Sequence, residues 1–312
     1  MHGFDVWTSS NAAAGTGIAV QRSMTIGDDV VAFLDEMDPK SGFIPAESVR
    51  TKGKDLAAQY NAASPFPHIV IDNFLPPELL EACLKEFPKQ AAGADMSFDR
   101  DTERFKTQYS PENLTPRMRA LFYAFNSWPF IKILENITGV KGLIPDPYFM
   151  GAGFHEINQG GHLSIHADFN HHKPMDLERR LNVLIYLNKD WKEEYGGQLE
   201  LWDTKMVGMV KSMTPAFNKC VIFNTNSDSY HGNPSLVDHP KGVSRKSIAL
   251  YYYTSTWSAA KRDHTTQFRP RAGTPDKTDW NTVLRETAID LMPPLLLRNL
   301  KKLRRSTKVE EA

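Results

Sequence analysis

The chain is poor in cysteine: among its 312 residues only Cys83 and Cys220 carry a thiol. Two thiols build neither a disulfide framework nor a cysteine zinc site. They read as buried thiols of a reducing compartment, which makes the protein cytoplasmic. Net charge is missing too, with 37 Lys and Arg against 37 Asp and Glu. No overall field draws the molecule to nucleic acid or to an anionic membrane, so no nucleic-acid partner is expected. No apolar run approaches the roughly 20 residues of a membrane span. The N-terminus lacks the basic region followed by an apolar run that marks a secretory signal. No internal repeat is visible. What is present is 41% hydrophobic content, enough to bury a core in one large domain or two modest ones.

Residues 1–24 are rich in Gly, Ala, Ser and Thr and read as a flexible leader. Helical patterns follow at DDVVAFLDEM (28–37) and around KDLAAQY (54–60). In PFPHIVIDNFLP a β-branched run between prolines predicts a strand over Ile69 to Ile71. PPELLEACLKEFP has proline at its start and Leu79, Leu80, Cys83 and Leu84 at helical spacing. Further helices are expected from about 115 to 138.

After Gly139 the texture changes. YFMGAGFHEI, LSIHADF, LNVLIYLN, GQLELWD, KCVIFNT and KSIALYYYT are short strand-like runs separated by turns. Such spacing predicts a double sheet or barrel. The fold class is mainly β with flanking helices (α+β), around a double-stranded β-helix of jelly-roll or cupin-like form. The domains expected are an N-terminal extension over 1–65, a catalytic domain over 66–257 with its core from about 147, and a C-terminal extension over 258–312. In that tail LLLRNLKKLRRSTK sets Leu296, Leu297, Leu300 and Leu303 among six basic residues from Arg298 to Lys308. A basic amphipathic helix of this kind lies on a membrane surface, meets an acidic partner, packs on its own domain or forms a homodimer; the sequence leaves these open.

His166-Ala167-Asp168, followed by His231 and Arg245, is the most informative constellation. On a strand alternate side chains share a face, so His166 and Asp168 enter one cavity. Alone, a His-x-Asp pair is an accident of surface hydrogen bonding. Here the Gly160-Gly161 bend lies upstream, Tyr230-His231-Gly232 follows one strand, and RKSIALYYY supplies the next. Two imidazoles and a carboxylate hold a metal on one face and leave the other open, which favours non-haem Fe(II). His155, His162, His171, His172 and His239 compete as ligands, but none has the strand-loop setting of His231. His171 and His172 are placed at a substrate mouth or on a solvated loop.

Arg245 and Ser247 alternate on one strand face, and a guanidinium fork binds carboxylate bidentately. Ser247 supplies a hydroxyl to the same carboxylate. Tyr186, on the same side of its strand as Asn182 and Leu184, supplies a third donor or is a core tyrosine. Gly196-Gly197 is expected to be a structural turn, Trp191 and Trp202 packing residues. Arg179 and Arg180 sit at the mouth end of the Tyr186 strand, either meeting substrate or pairing on the surface.

As a set, HAD, RRLNVLIYLNKDW, YGGQLELWD, YHGNP and RKSIALYYYT resemble the 2-oxoglutarate and Fe(II)-dependent oxygenases of the prolyl 4-hydroxylase type. The resemblance covers about residues 66–257. It implies His166, Asp168 and His231 as iron ligands and catalytic centre, Arg245 on the distal carboxylate of 2-oxoglutarate, and Tyr186 as a helper. The cofactors implied are Fe(II), 2-oxoglutarate and O2, with ascorbate in support. The reaction implied splits 2-oxoglutarate to succinate and CO2 and hydroxylates an unactivated C–H bond. Asp168 occupies the place where a halogenase needs a small residue, which disfavours halogenation. Collagen-type members place lysine where Arg245 stands, so "prolyl" names the family and not the substrate. The expected substrate is a prolyl or other protein side chain; the alternative is a free small molecule such as an amino acid, a natural-product intermediate or a sugar. A non-catalytic metal-binding sensor barrel and a zinc hydrolase are the remaining readings. Loop 169–179 is expected at the entrance, and a peptide substrate would need an open groove beside the barrel.

Overall fold

In the computed structural model the described residues are 31–47, 49–258 and 260–291. The leader over 1–24 and the basic segment 296–308 lie outside them. In chain order a 3-10 turn (Lys54–Leu56) leads into α1 (Ala57–Ala62), then β1 (His68–Ile71), α2 (Pro77–Lys85), β2 (Met96–Arg100) and β3 (Glu103–Tyr109). Next come α3 (Pro116–Phe125), α4 (Trp128–Thr138), β4 (Ile144–Pro145), β5 (Gly153–Ala167), β6 (His171–His172) and β7 (Leu177–Tyr186). The chain continues with β8 (Leu199–Trp202), β9 (Met209–Met213), β10 (Cys220–Asn224), β11 (His231–Asn233), β12 (Arg245–Thr254), β13 (Gln267–Phe268) and α5 (Trp280–Leu291).

Alternation along β7, β10 and β12 decides how these elements pack. Leu181, Val183, Ile185, Ile222, Ile248, Leu250 and Tyr252 point to one face, where they share a core with α2, α3 and α4. Segment 31–62 joins the same core through Leu34, Met37, Ile44, Val49 and Tyr60. The sheet path runs β1-β10-β7-β12-β5-β11-β8-β9, and its strand pairs are antiparallel. It curls until Leu199 and Leu201 of β8 and Met213 of β9 pack on Tyr186, Val221 and Phe223. This is the double-stranded β-helix.

β5 links the two halves of the curl. Its first part, through Ile157, lies between β12 and β3; its last part, around His166, lies between β11 and β13. Between them Gly160 takes φ +73°, and a Cβ on Gly161 would meet the Arg104 carbonyl oxygen at 2.7 Å. Two expected strands, 148–157 and 163–169, are thus one bent strand.

Other expectations need correction. Strand structure begins at Gly153 and not at Tyr148, because the Asp146 carboxylate accepts the N–H groups of Tyr148 and Met150 and turns the chain. DDVVAFLDEM is no helix over its described part, 31–37. The N–H groups of Phe33 and Leu34 donate to the carbonyls of Asn73 and Phe74 and so leave no helical ladder. The hairpin of β2 and β3 was not anticipated.

Candidate active site

Two antiparallel neighbours place the imidazoles. His231 on β11 lies directly opposite His166 on β5, with ring centroids 4.5 Å apart. Phe268 of β13 and Phe223 of β10 flank the pair. Each ring is oriented by its own strand: His166 Nδ1 lies 2.9 Å from the Ser164 carbonyl and His231 Nδ1 2.9 Å from that of Ser229. A carbonyl only accepts, so both Nδ1 atoms carry the proton and both Nε2 atoms offer a lone pair. Asp168 follows β5 by one residue, and one donor atom from each of His166, Asp168 and His231 falls within 4.8 Å of the others. Among the described residues this is the one such group of three.

Electrostatics suit a metal. Burial lowers the pKa of His231 against the pull of Asp168 and keeps the imidazole neutral. Burial would raise that of Asp168, yet the Arg179 guanidinium, first among the opposing groups, holds the carboxyl well below its usual range. The site thus offers two imidazoles and one anionic oxygen donor, each imidazole fixed through its second nitrogen.

A cavity of about 390 Å³ opens from these donors. Its opposite wall is built by β3, β5, β7 and β12. There Tyr186, Ser247, His155 and Gln108 form one rung across four adjacent strands. Arg245 stands two residues from Ser247 on the same face, buried, with Nε donating to the Gly197 carbonyl at 2.8 Å. Its Nη2 reaches the Tyr186 hydroxyl at 3.4 Å. Burial raises the pKa of Tyr186, so the phenol stays protonated. No described carboxylate pairs with Arg245. Gly197 takes φ +69°, and a Cβ there would stand 2.8 Å from Arg245 Cδ. The Gly196-Gly197 turn therefore seats the arginine as well as closing a loop.

Of the six residues singled out from sequence, His166, Asp168, His231, Arg245 and Ser247 line one cavity, and Tyr186 meets Arg245 through its hydroxyl. The other histidines separate. His155 lines the cavity, and its Nε2 has no hydrogen-bond partner among the described residues. His172 is not at a mouth: it is fully buried, with Nε2 3.2 Å from Asp146 Oδ1. His171 stacks on Trp257 and meets Asp176, His239 lies tilted against Tyr195, and His162 meets the Asp101 carbonyl. Of loop 169–179, Phe169 and Arg179 line the cavity.

Arg179 is the main surprise. Neither at the surface nor paired there, it is 1% exposed and lies 3.0 Å from Asp168 Oδ2. Between Tyr252 and Tyr253 the register of β12 with β7 skips one residue of β7, a β-bulge. The bulge turns Arg179, and not Arg180, onto the face of Asn182 and Tyr186. Simple alternation carries no sign of it.

Residues 152–253 match the family described as the 2OG-Fe(II) oxygenase superfamily. The matched span contains all six residues. The Mus musculus protein named Prolyl 3-hydroxylase OGFOD1 is 27% identical over 199 residues, 61% of this chain and 33% of that protein. The chain thus spans about a third of the length of this curated relative. Among solved structures, a Trichoplax adhaerens prolyl hydroxylase in complex with a hypoxia inducible factor peptide fragment has a TM-score of 0.49 at 17% identity, covering 67% of this chain and 92% of its own. A Pseudomonas putida prolyl-4-hydroxylase has a TM-score of 0.43 at 19% identity, covering 64% and 98%. The family uses Fe(II), 2-oxoglutarate and O2, and the donor set fits such a group: two imidazole lone pairs, one carboxylate, and a buried guanidinium that lacks an anion. Across its β-helix, over residues 152–253, the chain carries a segment that matches the 2OG-Fe(II) oxygenase superfamily.

Proposed function

We propose that the protein is a 2-oxoglutarate-dependent hydroxylase acting on a polypeptide side chain, a peptidyl proline foremost. One observation carries the reaction class. The buried Arg245 guanidinium, with no carboxylate partner among the described residues, shares a cavity with His166, Asp168 and His231. A cation desolvated in this way calls for an anionic ligand.

In this reading His166 Nε2, His231 Nε2 and Asp168 hold the iron. Arg245 receives the distal carboxylate of 2-oxoglutarate on its remaining N–H donors, and Ser247 adds a hydroxyl donor. Tyr186 keeps the guanidinium in place from behind, through its ring and its oxygen. Bound there, iron and 2-oxoglutarate supply the oxidation, with succinate and CO2 released. The protein contributes orientation and the exclusion of water. The residues proposed as the oxygenase domain are 66–257.

A groove supports a polypeptide substrate. It lies beside the cavity and shares Met96, Gln108 and Gly151 with it. Its walls carry Tyr123 and Tyr148, 72% and 62% exposed, together with Pro111 and Pro147. Aromatic walls of this kind take extended, proline-containing chains. The name of the mouse relative points the same way. Two separate buried thiols support a reducing, cytoplasmic setting.

An anaerobic visible spectrum tests the reaction class. Fe(II) followed by 2-oxoglutarate should give a weak charge-transfer band that neither gives alone. The band should vanish in Asp168→Ala and Arg245→Ala, and its absence in the wild-type protein with metal bound would remove the proposal. Succinate release with proline-containing peptides, against free amino acids, then tests the substrate class.

A further inference from the structure

We infer that Arg179 and Asn182 form a clamp on one oxygen of Asp168, so that this carboxylate serves a metal through its other oxygen alone. The inference rests on the iron-ligand reading above and concerns how many positions the protein takes up on the metal.

Asp168 Oδ2 has a hydrogen-bond donor and an ion-pair partner. Asn182 Nδ2 reaches it at 2.8 Å and Arg179 Nη2 at 3.0 Å. The same Arg179 Nη2 donates to Asn182 Oδ1 at 2.7 Å, which closes a triangle of arginine, amide and carboxylate. The triangle has little freedom. The guanidinium carbon lies 3.5 Å from the centre of the Tyr251 ring and 4.4 Å from that of Phe169. Asn182 and Tyr251 are themselves cross-strand partners. All four residues line the cavity, and the β7 bulge is what brings Arg179 into it.

Oδ2 accepts the Asn182 amide hydrogen and is ion-paired with the Arg179 guanidinium, so its negative charge is already engaged by the protein. His231 Nε2 stands 3.3 Å from Oδ2. With its proton on Nδ1, that nitrogen has nothing to donate to the oxygen. Among the described residues Oδ1 receives no hydrogen bond; its near neighbour is His166 Nε2 at 3.6 Å. Oδ1 is therefore the oxygen with coordinating capacity to spare.

The consequence is a matter of counting. A facial triad occupies three positions of a six-coordinate iron, and a 2-oxo acid takes two more. One position remains for a diatomic ligand. An unclamped aspartate can swing to a two-oxygen grip and take that last position. Arg179 and Asn182 are positioning residues that prevent this.

Arg179→Met removes the charged arm of the clamp. The test is anaerobic titration with Fe(II), then 2-oxoglutarate, then nitric oxide as a stand-in for dioxygen, read by the visible band and by electron paramagnetic resonance. The clamp predicts that Fe(II) binds Arg179→Met as tightly as wild type or more tightly. Nitric oxide should bind the 2-oxoglutarate-loaded variant at least about tenfold more weakly. Arg179→Lys, which returns one cationic donor, should recover part of that loss. Asn182→Leu removes the second donor and should shift both quantities in the same directions by less; it decides the matter if Arg179→Met does not fold. Unchanged nitric oxide binding overturns the inference. So does joint weakening of metal and co-substrate, which is the mark of a packing role. A wild-type protein without the 2-oxoglutarate band overturns the proposed function itself, which is a separate result from an unaltered variant.

Discussion

β7 and β12 have two faces with opposite duties. On the helix side Leu181, Val183, Ile185, Ile248 and Leu250 belong to one apolar core. On the cavity side Arg179, Asn182, Tyr186, Arg245 and Tyr251 each have a specific partner. The first face works by area and volume, so its residues are replaceable by others of similar size. The second works by direction and charge, where a change of one atom leaves a buried partner unpaired. Stability is drawn from one face and chemistry from the other, along the same ten-residue strands.

Arg245→Ala breaks the contrast most sharply. It should weaken 2-oxoglutarate binding by about 2–5 kcal/mol, the range for removing one partner of a buried charge pair. Calorimetric titration of the iron-loaded protein measures it, and the thermal midpoint should move little. Ile185→Ala is the converse. A buried isoleucine cut to alanine costs about 2–5 kcal/mol of stability, read from urea unfolding. The folded fraction should keep its affinity for 2-oxoglutarate.

Gly197→Ala tests the boundary between the faces. A left-handed alanine costs about 1–2 kcal/mol, and its methyl group would press on Arg245 Cδ. The KM for 2-oxoglutarate should rise more than kcat falls. The smallest effect concerns pH. Burial holds the pKa of His155 well below 6.5, with the nearby charge of Lys106 adding to the shift. The unfolded chain thus takes up a proton below about pH 6.5 that the folded chain refuses, and stability falls as pH drops. The slope is at most about 1.4 kcal/mol per pH unit for one group. His155→Asn should flatten the decline of thermal midpoint between pH 6.5 and 5 in metal-free protein. An unaltered decline would mean that another buried group, such as His231, carries it.

The period of two along a strand made most of this legible in the sequence. It brought His166 and Asp168 to one face, Arg245 and Ser247 to one face, and the valine and leucine runs to the core. Legibility stopped where the period breaks. A one-residue bulge exchanged Arg179 for Arg180. An Asx turn at Asp146 removed a strand start, and side-chain contact with Asp146 drew His172 inward from an apparent loop. β2 and β3 escaped notice for another reason. MSFDR and ERFKTQY are short and charged, and β2 has no buried residue, so neither shows a clean apolar alternation. Over the described part, 31–37, the expected helix is absent because a long-range partner, the 73–74 backbone, takes its donors.

β5 carries His155 near one end and His166 near the other, with Arg245 across from Ile157 and His231 across from His166. Both anchor points of a bridging ligand are therefore referenced to a single stretch of backbone. In the proposed reading the strand would act as a ruler: a dicarboxylate one carbon shorter or longer than the gauge between guanidinium and metal donors would not satisfy both ends at once. Discrimination by chain length would then follow from the span between Ile157 and His166 of one strand, which face Arg245 and His231.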